Sequence, residues 1–152
     1  PYPGGPSIQR EAETGNATAI VFPRAFAKVD TLEFSYSGLK TAVLYELRRN
    51  PNANRADVAA SFQAAAVDVL IMKTKLAIEQ THAPRLVLAG GVAANKLLRE
   101  RLAQEISIPV LMPPLDLCVD NAAMIAAAGD SRLKHGLVGS MRSTPTPSLP
   151  LA

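Results

Sequence analysis

The sequence contains no tryptophan and only one cysteine, and aromatic residues make up 5% of its 152 positions. Because Cys118 stands alone, the chain cannot form an internal disulfide and has no sulfur pair for a zinc ribbon. A chain without disulfides fits a reducing compartment, so we expect a cytoplasmic protein.

Long hydrophobic runs are also missing. No stretch of about eighteen apolar residues is present, so the sequence predicts no transmembrane helix and no membrane partner. The opening residues Pro1–Pro6 match neither a signal peptide nor a transit peptide. They form a Pro/Gly-rich start without an initiator Met, and we therefore expect the chain to be part of a longer polypeptide.

Charge of one sign is not concentrated in any block. Sixteen lysines and arginines oppose thirteen aspartates and glutamates, which leaves a net charge of +3 spread over the whole length. This balance permits a nucleic-acid partner without demonstrating one. With 48% apolar and 19% charged residues, the composition is typical of one globular domain.

The clearest periodic signal lies between residues 58 and 76. Apolar residues recur there at alternating spacings of four and three, which predicts one buried face of a long helix: Val58, Phe62, Ala65, Val69, Met72 and Leu76. Polar residues occupy the other positions, namely Asp57, Gln63, Asp68, Lys75 and Glu79. The pattern therefore predicts a helix that packs on one side only.

The remaining elements follow from turn residues and short apolar runs. Before the long helix we predict a turn at 2–6, a helix at 7–14, short strands at 18–22 and 32–36, a helix ending at Arg49, and a loop at 50–54. After it we predict a strand at 85–89, a helix at 95–106, a strand at 110–112, a helix at 120–135 and an extended tail. Helices alternating with strands indicate an α/β architecture.

Two interpretations remain open for the segment Gly90-Gly91-Val92-Ala93-Ala94-Asn95, between a predicted strand and a predicted helix. A backbone without side chains can approach a nucleotide closely, and the following helix start favours negative charge. The same residues also suit a tight turn with Asn95 as the helix cap. The segment lacks the GxGxxG and GxxxxGK patterns, so neither a Rossmann site nor a Walker loop is supported.

A second candidate is Asp120, in the segment Cys118-Val119-Asp120-Asn121. On local grounds Asp120 is best explained as the N-cap of the last helix, although it could also complete a metal site with ligands from elsewhere. We interpret Cys118 as a buried, inert thiol, and His82 and His135 as helix-terminal residues. No Ser/His/Asp or HExxH arrangement supports hydrolysis.

Four segments, in order and spacing, resemble the second half of the TsaD family of tRNA threonylcarbamoyltransferases, formerly called O-sialoglycoprotein endopeptidases. These segments are Tyr2-Pro3-Gly4-Gly5-Pro6, Phe34-Ser35-Tyr36-Ser37-Gly38-Leu39-Lys40-Thr41, Leu88-Ala89-Gly90-Gly91-Val92-Ala93-Ala94-Asn95 and Cys118-Val119-Asp120-Asn121-Ala122-Ala123-Met124-Ile125. The resemblance covers all 152 residues but only about half of a family member. It implies that residues 1–152 are the C-terminal portion, mainly the second lobe, of a two-lobed actin-like ATPase-fold enzyme.

The resemblance also implies an activity and a set of site residues. The family transfers a threonylcarbamoyl group from threonylcarbamoyl-AMP to the exocyclic amine of the adenosine beside the tRNA anticodon. By motif, Gly5 contacts the adenylate, Gly90 and Gly91 form the turn against which the nucleotide (ATP, ADP or the adenylate) packs, and Asn95 belongs to that turn. Asp120 matches a ligand of one divalent metal ion, iron or zinc.

Two departures from the family pattern affect these expectations. Val119 stands where the family usually has threonine, and the HxxxH motif that supplies two metal ligands is absent, so we expect this chain to be inactive alone. The resemblance further implies a TsaB-like paralogous subunit and a TsaE-like small ATPase as partners. A catalytically silent nucleotide-binding scaffold of the same complex and a small-molecule kinase of the same fold remain alternatives.

Overall fold

The computed structural model describes residues 3–140, 142 and 144. These form two compact units, Pro1–Cys118 and Val119–Ala152. The first unit contains helices α1 (Gly4–Ala12), α2 (Ser37–Arg49), α3 (Arg55–Thr81) and α4 (Lys96–Glu105), with strands β1 (Leu86–Val87) and β2 (Val110–Leu111). The second unit contains helix α5 (Ala122–Lys134).

The two strands form a parallel sheet in which Leu86 pairs with Val110 and Val87 with Leu111. Helix α4 connects them, as a parallel crossover requires. Leu98, Leu102 and Ile106 are buried against the sheet side of α3, as the sequence pattern predicted. The α/β class and both of these strand predictions are therefore confirmed, although each strand is shorter than predicted.

Helix α3 confirms the long periodic helix but corrects its packing. Val58 and Ala65 belong to one apolar cluster with Phe22 and Leu39. A second cluster contains Val67, which lies nine residues after Val58 and so about half a turn around the helix. The prediction of one buried face was wrong because α3 lies between two cores.

Polar residues that were predicted to face solvent also have partners. Asp68 forms ion pairs with Arg24 and with Arg101 of α4, while Lys75 pairs with Glu105 at 2.6 Å. Burial raises the pKa of the Asp68 carboxyl, but the hydrogen bonds and charges of the two arginines outweigh this effect and lower it. These contacts hold α3 against α4 and against the segment between α1 and α2.

The predicted strands at 18–22 and 32–36 are absent from the described residues, where both segments are irregular. Side chains of α3 take the place of strand partners: Ser61 Oγ accepts a hydrogen bond from Ile20 N–H and donates one to Asn16 C=O. The buried Lys73 ammonium donates three hydrogen bonds, at 2.6–3.0 Å, to the carbonyls of Phe26, Val29 and Thr31. In the first segment Ile20 N–H bonds to a helix side chain, and Lys73 holds residues 26–31, between the two segments, against α3.

The first and last elements differ from the predictions only at their ends. Helix α1 begins at Gly4, so the predicted turn over Gly4–Pro6 is wrong, and Tyr2 lies outside the described residues. Pro6 is tolerated because the first N–H groups of a helix have no intrahelical acceptor. At the other end of the chain, residues 137–140 have no regular structure, and the three prolines of the predicted extended tail lie outside the described residues.

Candidate functional site

The segment Gly90–Asn95, called the glycine turn below, links β1 to α4. Gly90 has φ +86°, a conformation that L side chains rarely adopt, and Gly91–Ala94 form one turn of 3₁₀ helix. The side chain of Ala93 is fully buried and anchors the turn in the first unit. A Cβ atom at Gly90 or Gly91 would meet no other atom within 4 Å, so the glycine turn presents open backbone.

Asn95 holds the glycine turn to both neighbouring helices. Its Oδ1 accepts a hydrogen bond from Leu98 N–H at 2.9 Å, which confirms the interpretation of Asn95 as the N-cap of α4. Its Nδ2 donates to Gln63 Oε1 of α3 at 3.1 Å. An amide side chain has two N–H donors and two carbonyl lone pairs, so one donor and one lone pair of Asn95 have no partner among the described residues.

Helix α1 contacts the residue that follows the glycine turn. Gln9 Oε1 accepts a hydrogen bond from Lys96 N–H at 2.8 Å. Gly5 is one turn earlier on the same face of α1, about 6 Å along the helix axis. It is exposed, and a Cβ there would also meet nothing within 4 Å. The first unit therefore brings α1, which carries Gly5, to the residue that follows the glycine turn.

Arg99 is a site residue that sequence reasoning missed. Its guanidinium donates hydrogen bonds to Ala93 C=O at 3.1 Å and to Pro113 C=O at 3.0 Å, and it lies 3.8 Å from Cys118 Sγ. Arg99 thereby joins the glycine turn to the segment after β2. Gln9 and Gln63 were missed as well, because a polar residue on a helix gives no sequence signal that distinguishes a buried contact from a solvated position.

Asp120 belongs to the second unit, and the local interpretation of this residue was wrong. The N-cap of α5 is Asn121, whose Oδ1 accepts from Met124 N–H at 2.9 Å while its Nδ2 donates to Val119 C=O. The Asp120 side chain is exposed and makes no hydrogen bond or ion pair with any described residue. Capping of α5 therefore does not explain why an aspartate stands at position 120.

The other candidates agree with their structural interpretations. Cys118 is buried and its Sγ lies 3.5 Å from Pro114 C=O. His82 and His135 are the C-terminal caps of α3 and α5. Across residues 3–140, 142 and 144, no three His, Cys, Asp or Glu side chains come together as a metal site.

These residues fit only part of a metal centre. A single exposed carboxylate without partners can serve as one ligand, but one donor does not hold a catalytic metal ion. Asp120 would need at least two further ligands, which the described residues do not gather around it. Within the described ranges, none of the helices is both long and apolar enough to cross a membrane.

The fold and the glycine turn define an α/β protein in which a parallel strand is followed by a turn with open backbone at Gly90 and Gly91. The model of the TsaD family, described as tRNA N6-adenosine threonylcarbamoyltransferase, matches residues 1–127. The chain therefore belongs to the TsaD family.

Curated relatives of that name are similar over most of this chain. The protein of Desulfitobacterium hafniense (strain Y51) is 56% identical over 135 residues, which cover 84% of this chain and 40% of the relative. Those of Moorella thermoacetica and Halalkalibacterium halodurans are 46% and 48% identical over 158 aligned residues, with 99% of this chain and 46% of each relative covered. The chain thus spans less than half the length of these relatives.

Proposed function

We propose that the complete gene product containing this chain transfers a threonylcarbamoyl group from threonylcarbamoyl-AMP to the exocyclic amine of the adenosine beside the tRNA anticodon. The support is membership of the TsaD family and the shared name of relatives that cover nearly the whole chain. We further propose that residues 1–152 are the C-terminal portion, mainly the second lobe, of a two-lobed actin-like ATPase fold.

The observation that carries the proposal is the open glycine turn. Gly90 and Gly91 leave room for an adenylate to lie against the backbone, and Asn95 retains one donor and one acceptor. Gly5 offers a second open surface on α1, which is tied to α4 by Gln9. In this assignment Gly5, Gly90, Gly91 and Asn95 bind and orient the nucleotide.

Asp120 is proposed as one ligand of a divalent metal, iron or zinc, with the other ligands supplied from outside this chain. Its support is an exposed carboxylate that neither caps α5 nor pairs with a described cation. Such a metal, when bound, supplies electrostatic activation or positioning of the substrate. No residue of this chain is assigned as a general base.

The alternatives of a silent scaffold and a small-molecule kinase are not favoured, because the relatives share the transferase name. By family membership we propose that the protein works in the cytoplasm. Its proposed partners are tRNA, a TsaB-like subunit and a TsaE-like small ATPase.

The test is a transfer assay on the complete gene product, with threonylcarbamoyl-AMP and tRNA supplied and the modified nucleoside measured by mass spectrometry. Wild type should form threonylcarbamoyladenosine. Asp120→Ala should abolish transfer and bound metal while leaving thermal unfolding nearly unchanged. The matched control is Asp130→Ala, which removes an exposed carboxylate from the same unit that forms an ion pair with Lys134.

Two results would count against the proposal. Absence of product with wild-type protein and its partner subunits would reject the transferase assignment. Normal metal content in Asp120→Ala would remove this carboxylate from the ligand set and leave the transferase assignment standing.

A further inference from the structure

The side chain of Arg99 holds together two segments that follow the parallel strands. One is the glycine turn, which comes after β1, and the other is residues 112–118, the segment after β2. Because Leu86 pairs with Val110 in a parallel register, both segments leave the sheet at the same edge. The carboxyl ends of parallel strands form the edge at which open α/β sheets bind ligands. Arg99 therefore contacts both segments at the edge where a ligand is expected.

The guanidinium contacts each segment through a different nitrogen. Its Nη1 donates to Ala93 C=O in the glycine turn at 3.1 Å, and its Nη2 donates to Pro113 C=O at 3.0 Å. Nη1 also lies 3.8 Å from Cys118 Sγ, and that thiol lies 3.5 Å from Pro114 C=O. A planar guanidinium presents its donors in a fixed fork, so the two carbonyls are held at a set separation.

The contact with Ala93 extends to the backbone of Gly90. The N–H of Ala93 donates to Gly90 C=O at 2.9 Å, while its C=O accepts from Arg99. Both polar groups of Ala93 are thus bonded, and its side chain is fully buried. Gly90 has φ +86°, and a Cβ there would meet nothing within 4 Å. Arg99 therefore stabilises the backbone that stays open at Gly90.

The position of Arg99 on α4 lets its side chain reach back to the glycine turn. Arg99 lies one helical turn after Asn95, and its own N–H donates to Asn95 C=O at 3.1 Å. Side chains on an α-helix lean towards its N-terminus, so a long side chain at this position points to the residues that precede the helix. One turn of helix therefore separates Asn95, the N-cap, from the residue that holds Ala93.

The Arg99 cation has no anionic partner among the residues that the structure describes. Its contacts are two carbonyl oxygens and a thiol. In contrast, Arg101, two residues later on α4, pairs with Asp68 of α3 and with Glu105. An ion pair between helices explains Arg101 but not Arg99. Arg99 therefore serves to hold backbone carbonyls.

We propose that Arg99 is a positioning residue for adenylate binding. Its guanidinium fixes the glycine turn relative to the segment after β2, and the turn then contacts the nucleotide. In this role Arg99 acts through Ala93 and Gly90 and does not touch the ligand. The inference rests on the proposed function for the identity of the ligand. It adds a residue and a segment that the proposed nucleotide site does not include.

The first test is calorimetric titration of the complete gene product with a non-hydrolysable analogue of threonylcarbamoyl-AMP, at a temperature where every variant is folded. Arg99→Met removes both hydrogen bonds and should weaken binding about tenfold. Arg99→Lys keeps the charge, but its single nitrogen does not reproduce the fork, so binding should weaken about threefold. The lysine variant still tests the proposal if the methionine variant does not fold.

The matched control is Arg101→Met, which removes an arginine of the same helix whose partners are Asp68 and Glu105. It changes the net charge as Arg99→Met does and should also lower the melting temperature. Its adenylate affinity should stay within about twofold of wild type. An equal loss of affinity in this control would overturn the proposal, because the effect would then be one of net charge or of general destabilisation of α4.

The second test uses Cys118, which is 2% exposed, as a reporter of the segment after β2. Its alkylation is followed by peptide mass spectrometry with and without the adenylate analogue. In wild type the analogue should slow alkylation about fivefold or more, because Arg99 couples the ligand-bound turn to the segment. In Arg99→Met alkylation should be faster, and the analogue should no longer slow it. A purely structural role would change the alkylation rate but not its dependence on the nucleotide.

Two results would overturn the role of Arg99 and leave the proposed function standing. One is wild-type adenylate affinity in Arg99→Met or Arg99→Lys, in a protein whose wild type modifies tRNA. The other is adenylate protection of Cys118 that is absent from wild type or persists in Arg99→Met. A wild-type protein that neither binds the adenylate nor modifies tRNA would reject the proposed function, and this inference with it.

Discussion

The two units of this chain differ in how much apolar surface they bury. The first unit contains two buried clusters on opposite sides of α3. In the second unit, α5 has no buried residue, and Ile125 and Leu133 are 66% and 65% exposed. Hydrogen bonds within the first unit therefore fix the position of the glycine turn. The Asp120 side chain, in contrast, makes no hydrogen bond or ion pair with the described residues of its unit.

The largest expected effect concerns Lys73, a buried lysine of the first unit, which we compare with the exposed Lys134 of the second unit. Lys73→Met removes three hydrogen bonds to loop carbonyls, so we expect the free energy of unfolding to fall by about 3 kcal/mol. In the second unit, Lys134→Met removes only an exposed ion pair and should cost no more than about 0.5 kcal/mol. Urea denaturation of the complete gene product measures both, and equal losses would contradict the contrast between the units.

Two glycines should respond with opposite signs. A Cβ at Gly15 would overlap the Ala56 carbonyl, so Gly15→Ala should destabilise the first unit by about 2 kcal/mol. A Cβ at Gly129, inside α5, would meet nothing within 4 Å, and Gly129→Ala should stabilise the helix by up to about 1 kcal/mol. Thermal unfolding distinguishes these outcomes, and a stabilising Gly15→Ala would contradict the close contact between the turn after α1 and the Ala56 carbonyl of α3.

Substitution of Asn95 should lower both the stability of the protein and its affinity for the adenylate. Asn95→Ala loses the cap of α4, at about 1 kcal/mol of stability, and should weaken adenylate binding about tenfold. Asn54→Ala loses the corresponding cap of α3, with a similar stability cost but unchanged affinity. Calorimetric titration with an adenylate analogue separates the two effects, and normal affinity in Asn95→Ala would remove its binding role.

The smallest effect concerns acid stability. Hydrogen bonds from Arg101 and Lys75 lower the pKa of the Glu105 carboxyl to about 2, whereas an unfolded glutamate titrates near about 4.3. Its contribution is therefore complete above the unfolded pKa and is lost as the pH falls towards 2. Glu105→Gln should flatten the loss of stability between about pH 5 and 2.

The control for this pH dependence is Glu100→Gln, an exposed position on α4 whose side chain has no partner among the described residues. It should preserve the wild-type dependence in a series of unfolding measurements. A Glu105→Gln profile that matched wild type would show that the ion pairs to Arg101 and Lys75 add no stability at neutral pH.

Local sequence rules predicted elements whose signals lie within one segment. The helix around 58–76, the strand before Gly90 and the cap at Asn95 all follow from periodicity or from residue type beside a turn. The rules failed at 18–22, where the distant Ser61 side chain bonds to Ile20 N–H in place of a strand partner. They also placed a cap at Asp120, because Asp and Asn are nearly equivalent by propensity and Asn121 took that position.

The sequence by itself determined the α/β class, the position of the glycine turn and the resemblance to the TsaD family. Only the tertiary structure decided that Gln9, Gln63 and Arg99 hold that turn. The physical reason is that periodicity and turn propensity act over a few neighbouring residues. Contacts between residues tens of positions apart depend on how helices pack, which no local pattern specifies.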